Sequence, residues 1–402
     1  MLDRYKTGEQ VVKNITLFLM AFALSSVVSN ALISIAMGLG CLDIIIAGIS
    51  KKRLPTLNLC GKVKYSYWLF IGLVMLASLL TRKGANIDLA WDYFYWSIPF
   101  WIILFLHPEQ DNQKFFTYGL IFSTLFTSLY SVYQFIIQPA GKRIGGFDFP
   151  NFYAVFLILT LPFLIMYLVE NHKAISKKLS VKLTAAAVVL GLFALYLTGS
   201  RGACLSFCLA TLALLFFTRH YKGGTVLKAG ILAMLIVLAA VMLGLGFRGE
   251  VKRSYDMERV YLLQSSYKMW QDHKIIGVGL NDWKDQYHHK YILKQAKERN
   301  LVIPHNTIAW FFSATGLVGG IGYLIFLIGT FVALVQAIRK NPDNWLLYAM
   351  LWSYLAFSMH GMVDVGITMK TSNRLFFMLL GFSLTSVGAV TATKADKAIN
   401  EK

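Results

Sequence analysis

The chain has 402 residues, of which 56% are hydrophobic and only 15% charged. Soluble domains carry about 25% charged residues, whereas here apolar runs long enough to span a bilayer, roughly 20 residues, recur along almost the whole length. A soluble globular fold is therefore excluded, and so is a β-barrel, which would show ~10-residue alternating segments. The expected class is an all-α polytopic membrane protein, within which a net charge of +19 has to be explained.

In chain order the apolar periodicity predicts twelve spans, at roughly 14–28, 30–49, 65–80, 91–106, 114–137, 152–169, 182–198, 202–218, 226–247, 307–338, 344–361 and 374–392. The first two form one apolar stretch, divided by a turn at the polar cluster Ser25-Ser26 and Ser29-Asn30. No small-residue cleavage site follows the first apolar run, so it is expected to stay as a membrane helix. Cys204 and Cys208 stand four apart in an apolar run, where free cysteine packs as a small hydrophobe; no ligand spacing for zinc accompanies them. With both termini cytoplasmic, the inner segments hold 21 basic residues and the short outer ones 7. The remaining 11 of 39 lie in one large loop too long to obey the rule. Most of the positive charge is thus a topology signal and a contact for anionic lipid, with no need for a nucleic-acid partner. The chain divides into residues 1–247 (helices 1–9), an outward-facing loop over 248–305, and 306–402 (helices 10–12 and a cytoplasmic tail).

Cations near apolar surroundings collect at the outer face. Arg143 precedes Phe149-Pro150-Asn151, and Arg201 lies in the very short connector Gly199-Ser200-Arg201-Gly202. That connector holds Arg201 at the membrane boundary, between glycines that permit close approach; read alone, it also fits a snorkelling anchor. In the loop, helical spacing over 255–272 places Arg259 early, Gly277-Val278-Gly279 breaks the pattern, and 281–298 resume it with Trp283, Tyr287 and Tyr291 four apart. Such a segment is expected to lie on the membrane surface, aromatic side down.

His305 closes the loop after Pro304, and a helix should begin at Asn306 or Thr307, both good cap residues. A neutral imidazole there can serve as a general base, and alone it also fits an interfacial histidine bonded to a loop carbonyl. The 33 residues from Asn306 to Ile338 would span about 50 Å, too long for a ~30 Å core. A bend is therefore expected at Gly316, Gly319, Gly320 or Gly322. His360 and Asp364 stand four apart at the outer end of the eleventh span and share a face if that helix continues. Asp364 would then orient His360, balance its charge, or hold one of the arginines.

The series from Arg143 and Pro150-Asn151, through Ser200-Arg201-Gly202-Ala203 and Arg259, to Gly277-Val278-Gly279 and Pro304-His305-Asn306 resembles the O-antigen ligase and polymerase superfamily of bacterial envelope enzymes, over about residues 141–365. The resemblance implies an inner-membrane glycosyltransferase whose donor is an undecaprenyl-diphosphate-linked glycan. Its ligases transfer the glycan to lipid A–core oligosaccharide; its polymerases transfer it to another lipid-linked repeat. Residue by residue it implies that Arg201 and Arg259 bind the diphosphate, with Arg143 as helper and His305 activating the acceptor hydroxyl, and with anomeric inversion and no metal or cofactor. Elementary chemistry agrees: diphosphate is a good leaving group, guanidinium binds phosphate bidentately and stays charged, and one histidine suffices as base. The single late loop and the context of His305 favour ligase over polymerase. A lipid-linked glycan transporter would place ionisable groups at the midplane; here Asp43 alone lies inside a span, near its cytoplasmic end.

Overall fold

The structure, a computed structural model, describes residues 2–51, 61–108, 110–139, 142–232, 253–364 and 366–400. These residues form helices and connectors with no strand, as a membrane-spanning chain requires when every backbone polar group must find its partner within the segment. The helices are α1 (Leu2–Ser26), α2 (Asn30–Lys51), α3 (Gly61–Leu80), α4 (Gly84–Trp96), α5 (Ile98–Leu106), α6 (Gln110–Ile137), α7 (Pro150–Glu170), α8 (Leu179–Leu197) and α9 (Arg201–Phe217). Residues 224–232 are helical and are labelled α10. There follow α11 (Arg253–Asp272), α12 (Trp283–Gln286), α13 (Thr307–Lys340), α14 (Trp345–His360) and α15 (Lys370–Asn400).

Among the described residues, eight stretches are long and apolar enough to cross a membrane: Asn30–Ile49, Val63–Leu80, Gly84–Leu106, Asn112–Ile137, Pro150–Glu170, Leu179–Leu197, Arg201–His220 and Thr307–Lys340. The protein is a multi-pass, all-α membrane protein. Helices α1, α14 and α15 occupy the places expected of the first, eleventh and twelfth spans. Helix α10 covers the start of the expected ninth, whose remainder lies outside the described residues, as does the loop's start at 248–252. The break between the first two spans falls where the serines suggested: α1 ends at Ser26, Val27 takes φ +52°, and α2 begins at Asn30.

Helices α7 and α14 carry apolar residues on every side, the pattern of a helix with no solvent face, and both are buried nearly all round. They pack on each other, with α8 and α9 outside them, and Ser353 Oγ donates to the Leu159 carbonyl at 2.7 Å to fix their register. A second group packs α3 on α13 and α5 on α15. Its rings meet around Tyr67, with Phe100, Phe326 and Phe377 centroids at 6.4, 6.2 and 5.6 Å. One end of α7 and the opposite-sense end of α14 meet at the same end of the bundle, and so fix where Asn151 and the 361–364 turn lie.

Helix α13 bends at Gly316, which takes φ +63° and ψ −158°. Breaking a helix frees backbone groups that lipid cannot satisfy. The loop satisfies them: Leu317 and Val318 donate to the carbonyls of Lys274 and Ile275 at 2.7 and 3.2 Å, and Val278 and Gly279 donate to those of Ser313 and Ala314 at 2.9 Å each. Both chains need glycine at the crossing. A Cβ on Gly316 would lie 2.3 Å from the Ile275 backbone, and one on Gly277 2.3 Å from the Ala314 backbone.

The loop is thus fastened to the helix it precedes. Expectation and structure agree over α11 and the Gly277-Val278-Gly279 break, where both glycines have positive φ. They part over 281–298. Helix α12 spans four residues and a π-turn continues only to Tyr291. The aromatic spacing reflects burial against protein: Trp283 and Tyr287 are fully buried, and Trp283 Nε1 donates to Ser313 Oγ at 2.9 Å. Beyond Tyr291 the backbone leaves the helical path because its amides serve a long-range partner. Glu258, buried on α11, accepts from Lys297 N at 3.0 Å to each oxygen and from Glu298 N at 3.1 Å.

Candidate active site

Asp364 is the hub of the site. It sits four residues past the end of α14, where the expected continuation fails: α14 stops at His360, and the Asp364 amide donates to the His360 carbonyl at 2.9 Å. The turn swings the Asp364 side chain toward three other segments of the chain. Oδ1 lies 3.0 Å from His305 Nδ1. Oδ2 accepts from Arg259 Nη2 at 3.1 Å and from Asn151 Nδ2 at 2.6 Å. The carboxyl is 3% exposed. Burial alone would raise its pKa; the His305 hydrogen bond and the charges of His360, His305 and Arg259 outweigh burial and hold it at about 2.

His305 has φ +50°, a left-handed conformation uncommon for a non-glycine residue. The residues that follow pin it there. Asn306 caps α13, its Oδ1 accepting from Ala309 N at 2.8 Å, as expected of a cap residue. Its Nδ2 donates to the Met362 carbonyl at 2.8 Å, and Thr307 N donates to the Gly361 carbonyl at 2.7 Å. The start of α13 is therefore bonded to the turn that carries Asp364. Because an ionised carboxylate only accepts, Nδ1 of His305 carries the proton in this pair, and in the neutral ring Nε2 keeps the lone pair.

Asn151, the second residue of α7, joins the third segment. Its Oδ1 accepts from Arg143 Nη2 while its Nδ2 donates to Asp364. Arg143 Nε donates to the Thr198 carbonyl at 2.7 Å, which ties the 142–149 connector to the end of α8. Gln134 completes that anchorage with a two-way bond to Gly146, at 2.8 and 3.0 Å. Burial lowers the Arg143 pKa, Asp364 opposes this, and the neighbouring charges of Arg259 and Arg201 lower it further. Those mutual effects bring all three arginines into one electrostatic neighbourhood. Two of the Arg143 nitrogens donate to protein acceptors.

Arg201 is the first residue of α9 and is exposed. The following Gly202 lets α9 approach the 360–363 turn: a Cβ there would stand 2.9 Å from Val363 Cγ2 and 3.9 Å from His360 Cδ2. Arg259, 40% exposed, uses one nitrogen on Asp364. His360 is fully buried beneath the site, near enough for its charge to act on Asp364. Four of the six expected site residues, Arg143, Arg201, Arg259 and His305, thus gather with Asp364, and His360 underlies them.

Two further residues belong to this arrangement. Asn151 bridges Arg143 and Asp364, and its signal was the Pro150-Asn151 pair at a helix start. Glu258, next to Arg259, fastens the 297–298 backbone to α11; as one of several acidic residues in the loop it gave no sign of that.

Residues 186–324 match the family model described as O-antigen ligase. No curated protein matches the chain. The matched segment holds Arg201, Arg259 and His305 together with the Gly316 bend, while Arg143, Asn151 and Asp364 lie outside it. The match supports ligase or polymerase activity without separating the two. Residues 186–324 therefore carry the domain of the O-antigen ligase/polymerase superfamily.

Proposed function

We propose that the protein is an inverting, metal-independent glycosyltransferase of the bacterial inner membrane that moves an undecaprenyl-diphosphate-linked O-antigen glycan onto lipid A–core oligosaccharide. The observation that carries this reading is the Asp364 hub, in which one carboxylate holds a histidine by Nδ1 and an arginine by Nη2. His305 Nε2 takes the proton of the acceptor hydroxyl. The acceptor oxygen bonds to the anomeric carbon from the face opposite the diphosphate, and the bond from that carbon to the diphosphate oxygen breaks. Polyprenyl diphosphate leaves with the electron pair. Arg201 and Arg259 take the charge that develops on it, the work a divalent ion does elsewhere, and preorganised cations of this kind typically contribute ~10²–10³ in rate. Asp364 keeps the imidazole in the base tautomer and stabilises the imidazolium that forms.

The excess of basic residues in the opposite connectors supports an orientation with both termini cytoplasmic and the site and loop periplasmic. Purified protein given lipid-linked glycan and lipid A–core, with and without chelator, tests the reading. Product on lipid A–core is expected. Longer lipid-linked chains in its place would make the protein a polymerase, and loss of activity with chelator would overturn the metal-independent step.

A further inference from the structure

At the end of the bundle opposite His305 lies a cavity of about 580 Å³, walled by the start of α6, the end of α7, the chain after α9 and the α13–α14 connector. Three lysines from three separate stretches, Lys114, Lys222 and Lys340, line it with Glu170 and Asp343. Glu170 is matched internally: Lys222 Nζ lies 2.8 Å from Oε1, and Tyr221 donates to Oε2 at 2.9 Å. Lys114 and Lys340 then outnumber Asp343, and the cavity keeps a positive excess. Its lining also includes Trp345, whose ring meets Tyr167 at 5.9 Å. Aromatic rings of this kind favour the headgroup level of a bilayer, with an apolar body and a polar edge. The volume far exceeds the ~30 Å³ of a water molecule and accommodates a phosphate carrying a small alcohol.

We propose that this cavity binds the phosphodiester headgroup of a membrane phospholipid, with Lys114 and Lys340 on the phosphate oxygens and the Glu170–Lys222 pair as a fixed wall. Phosphate is the chemistry the lysines recognise. The lipid is favoured over free phosphate because helix ends and the rings of Tyr167 and Trp345 line the cavity. The inference is independent of the reaction proposed at the other end.

The test uses delipidated full-length protein in detergent, with binding followed by native mass spectrometry. Three probes are compared: dioleoyl-phosphatidylglycerol, dioleoylglycerol with the same chains and no phosphate, and inorganic phosphate. Phosphatidylglycerol should bind at least tenfold more tightly than dioleoylglycerol. Each lysine near a headgroup is worth roughly fivefold, so Lys114→Gln with Lys340→Gln should weaken it about 25-fold. Asp343→Asn should tighten it several-fold, a gain that misfolding cannot produce. Equal binding of the two lipids, or no change in either variant, would overturn the proposal. Inorganic phosphate binding as tightly as the phospholipid would overturn the lipid as the source.

Discussion

Replacing Asp364 by asparagine keeps the shape of the side chain and removes its charge. Burial raises this carboxyl, yet the His305 bond and the charges of His360, His305 and Arg259 lower it from 3.8 to about 2. At ~1.36 kcal/mol per pKa unit, that lowering stabilises the folded state by roughly 2–3 kcal/mol. The group's folded pKa is depressed, so this contribution is complete above the ordinary carboxyl range and is lost as pH falls through about 2. Asp364→Asn forfeits it at every working pH, and leaves Arg259 beside a neutral amide. Thermal stability in detergent should fall accordingly. The effect on rate should be larger. An amide that turns its N–H toward His305 Nδ1 selects the other tautomer and removes the lone pair from Nε2; the same change behind the histidine of the serine-protease triad lowers kcat by about 10⁴. A loss of ~10²–10⁴ in glycan transfer at neutral pH is expected, measured with purified protein and lipid-linked donor. Residues acting as a unit are not additive, so Asp364→Asn combined with His305→Ala should be no slower than His305→Ala alone. Transfer within threefold of the unmodified rate, or losses that multiply in the double variant, would refute the role assigned to the hub.

His305→Ala should abolish transfer while the protein still inserts and expresses, and normal surface-glycan attachment in cells carrying it would remove His305 as the base. Arg201→Ala and Arg259→Ala should each lower kcat by ~10²–10³, and Arg259→Lys should recover only part, because an ammonium lacks the planar fork that binds phosphate and Asp364 together. Equal rates for the lysine and arginine forms would reduce that residue to a point charge. Gly316→Ala forces a Cβ into the Ile275 backbone at φ +63°, and a loss of at least ~2 kcal/mol is expected, read as a lower melting temperature and faster proteolysis of the loop.

Features set by nearby residues were legible in the sequence. The turn after Ser26, the Asn306 cap and the bend among the glycines of α13 each follow from local backbone chemistry, and each lies where that chemistry put it. The candidate arginines and His305 could be nominated for a related reason, since charge at a membrane boundary stands out against apolar surroundings. What remained hidden depends on distance along the chain. Asp364 reads locally as a partner for His360 or for one of the arginines, and it does hold Arg259; that its hydrogen bonds run to residues 59, 105 and 213 positions distant no local pattern gives. The spacing of Trp283, Tyr287 and Tyr291 was real, yet it signalled burial within the protein, Trp283 against α13 and Tyr291 against α11, and not one continuous surface helix. Beyond Tyr291, Glu258 claims the amides of Lys297 and Glu298, and no local pattern reveals that competition.

Helix lengths explain why the hub can hold so much charge together. Helix α14 has 16 residues, about 24 Å at 1.5 Å per residue, shorter than a ~30 Å hydrocarbon core, whereas the stretch Arg201–His220 has 20 residues, about 30 Å. The stretch of α13 beyond Gly316 covers 317–340, about 36 Å on the same basis. Helix α9 begins at Arg201 and α14 ends at His360; Gly202 brings these two ends together, beside the start of α13. The bend returns the chain toward the 361–364 turn, where Thr307 meets the Gly361 carbonyl. His305 and Arg259 thereby both reach Asp364. A low effective dielectric strengthens each of their attractions, and it also makes any unmatched charge costly. Arg259, His305 and, through Asn151, Arg143 share this end of the bundle around one carboxylate, whose negative charge offsets theirs.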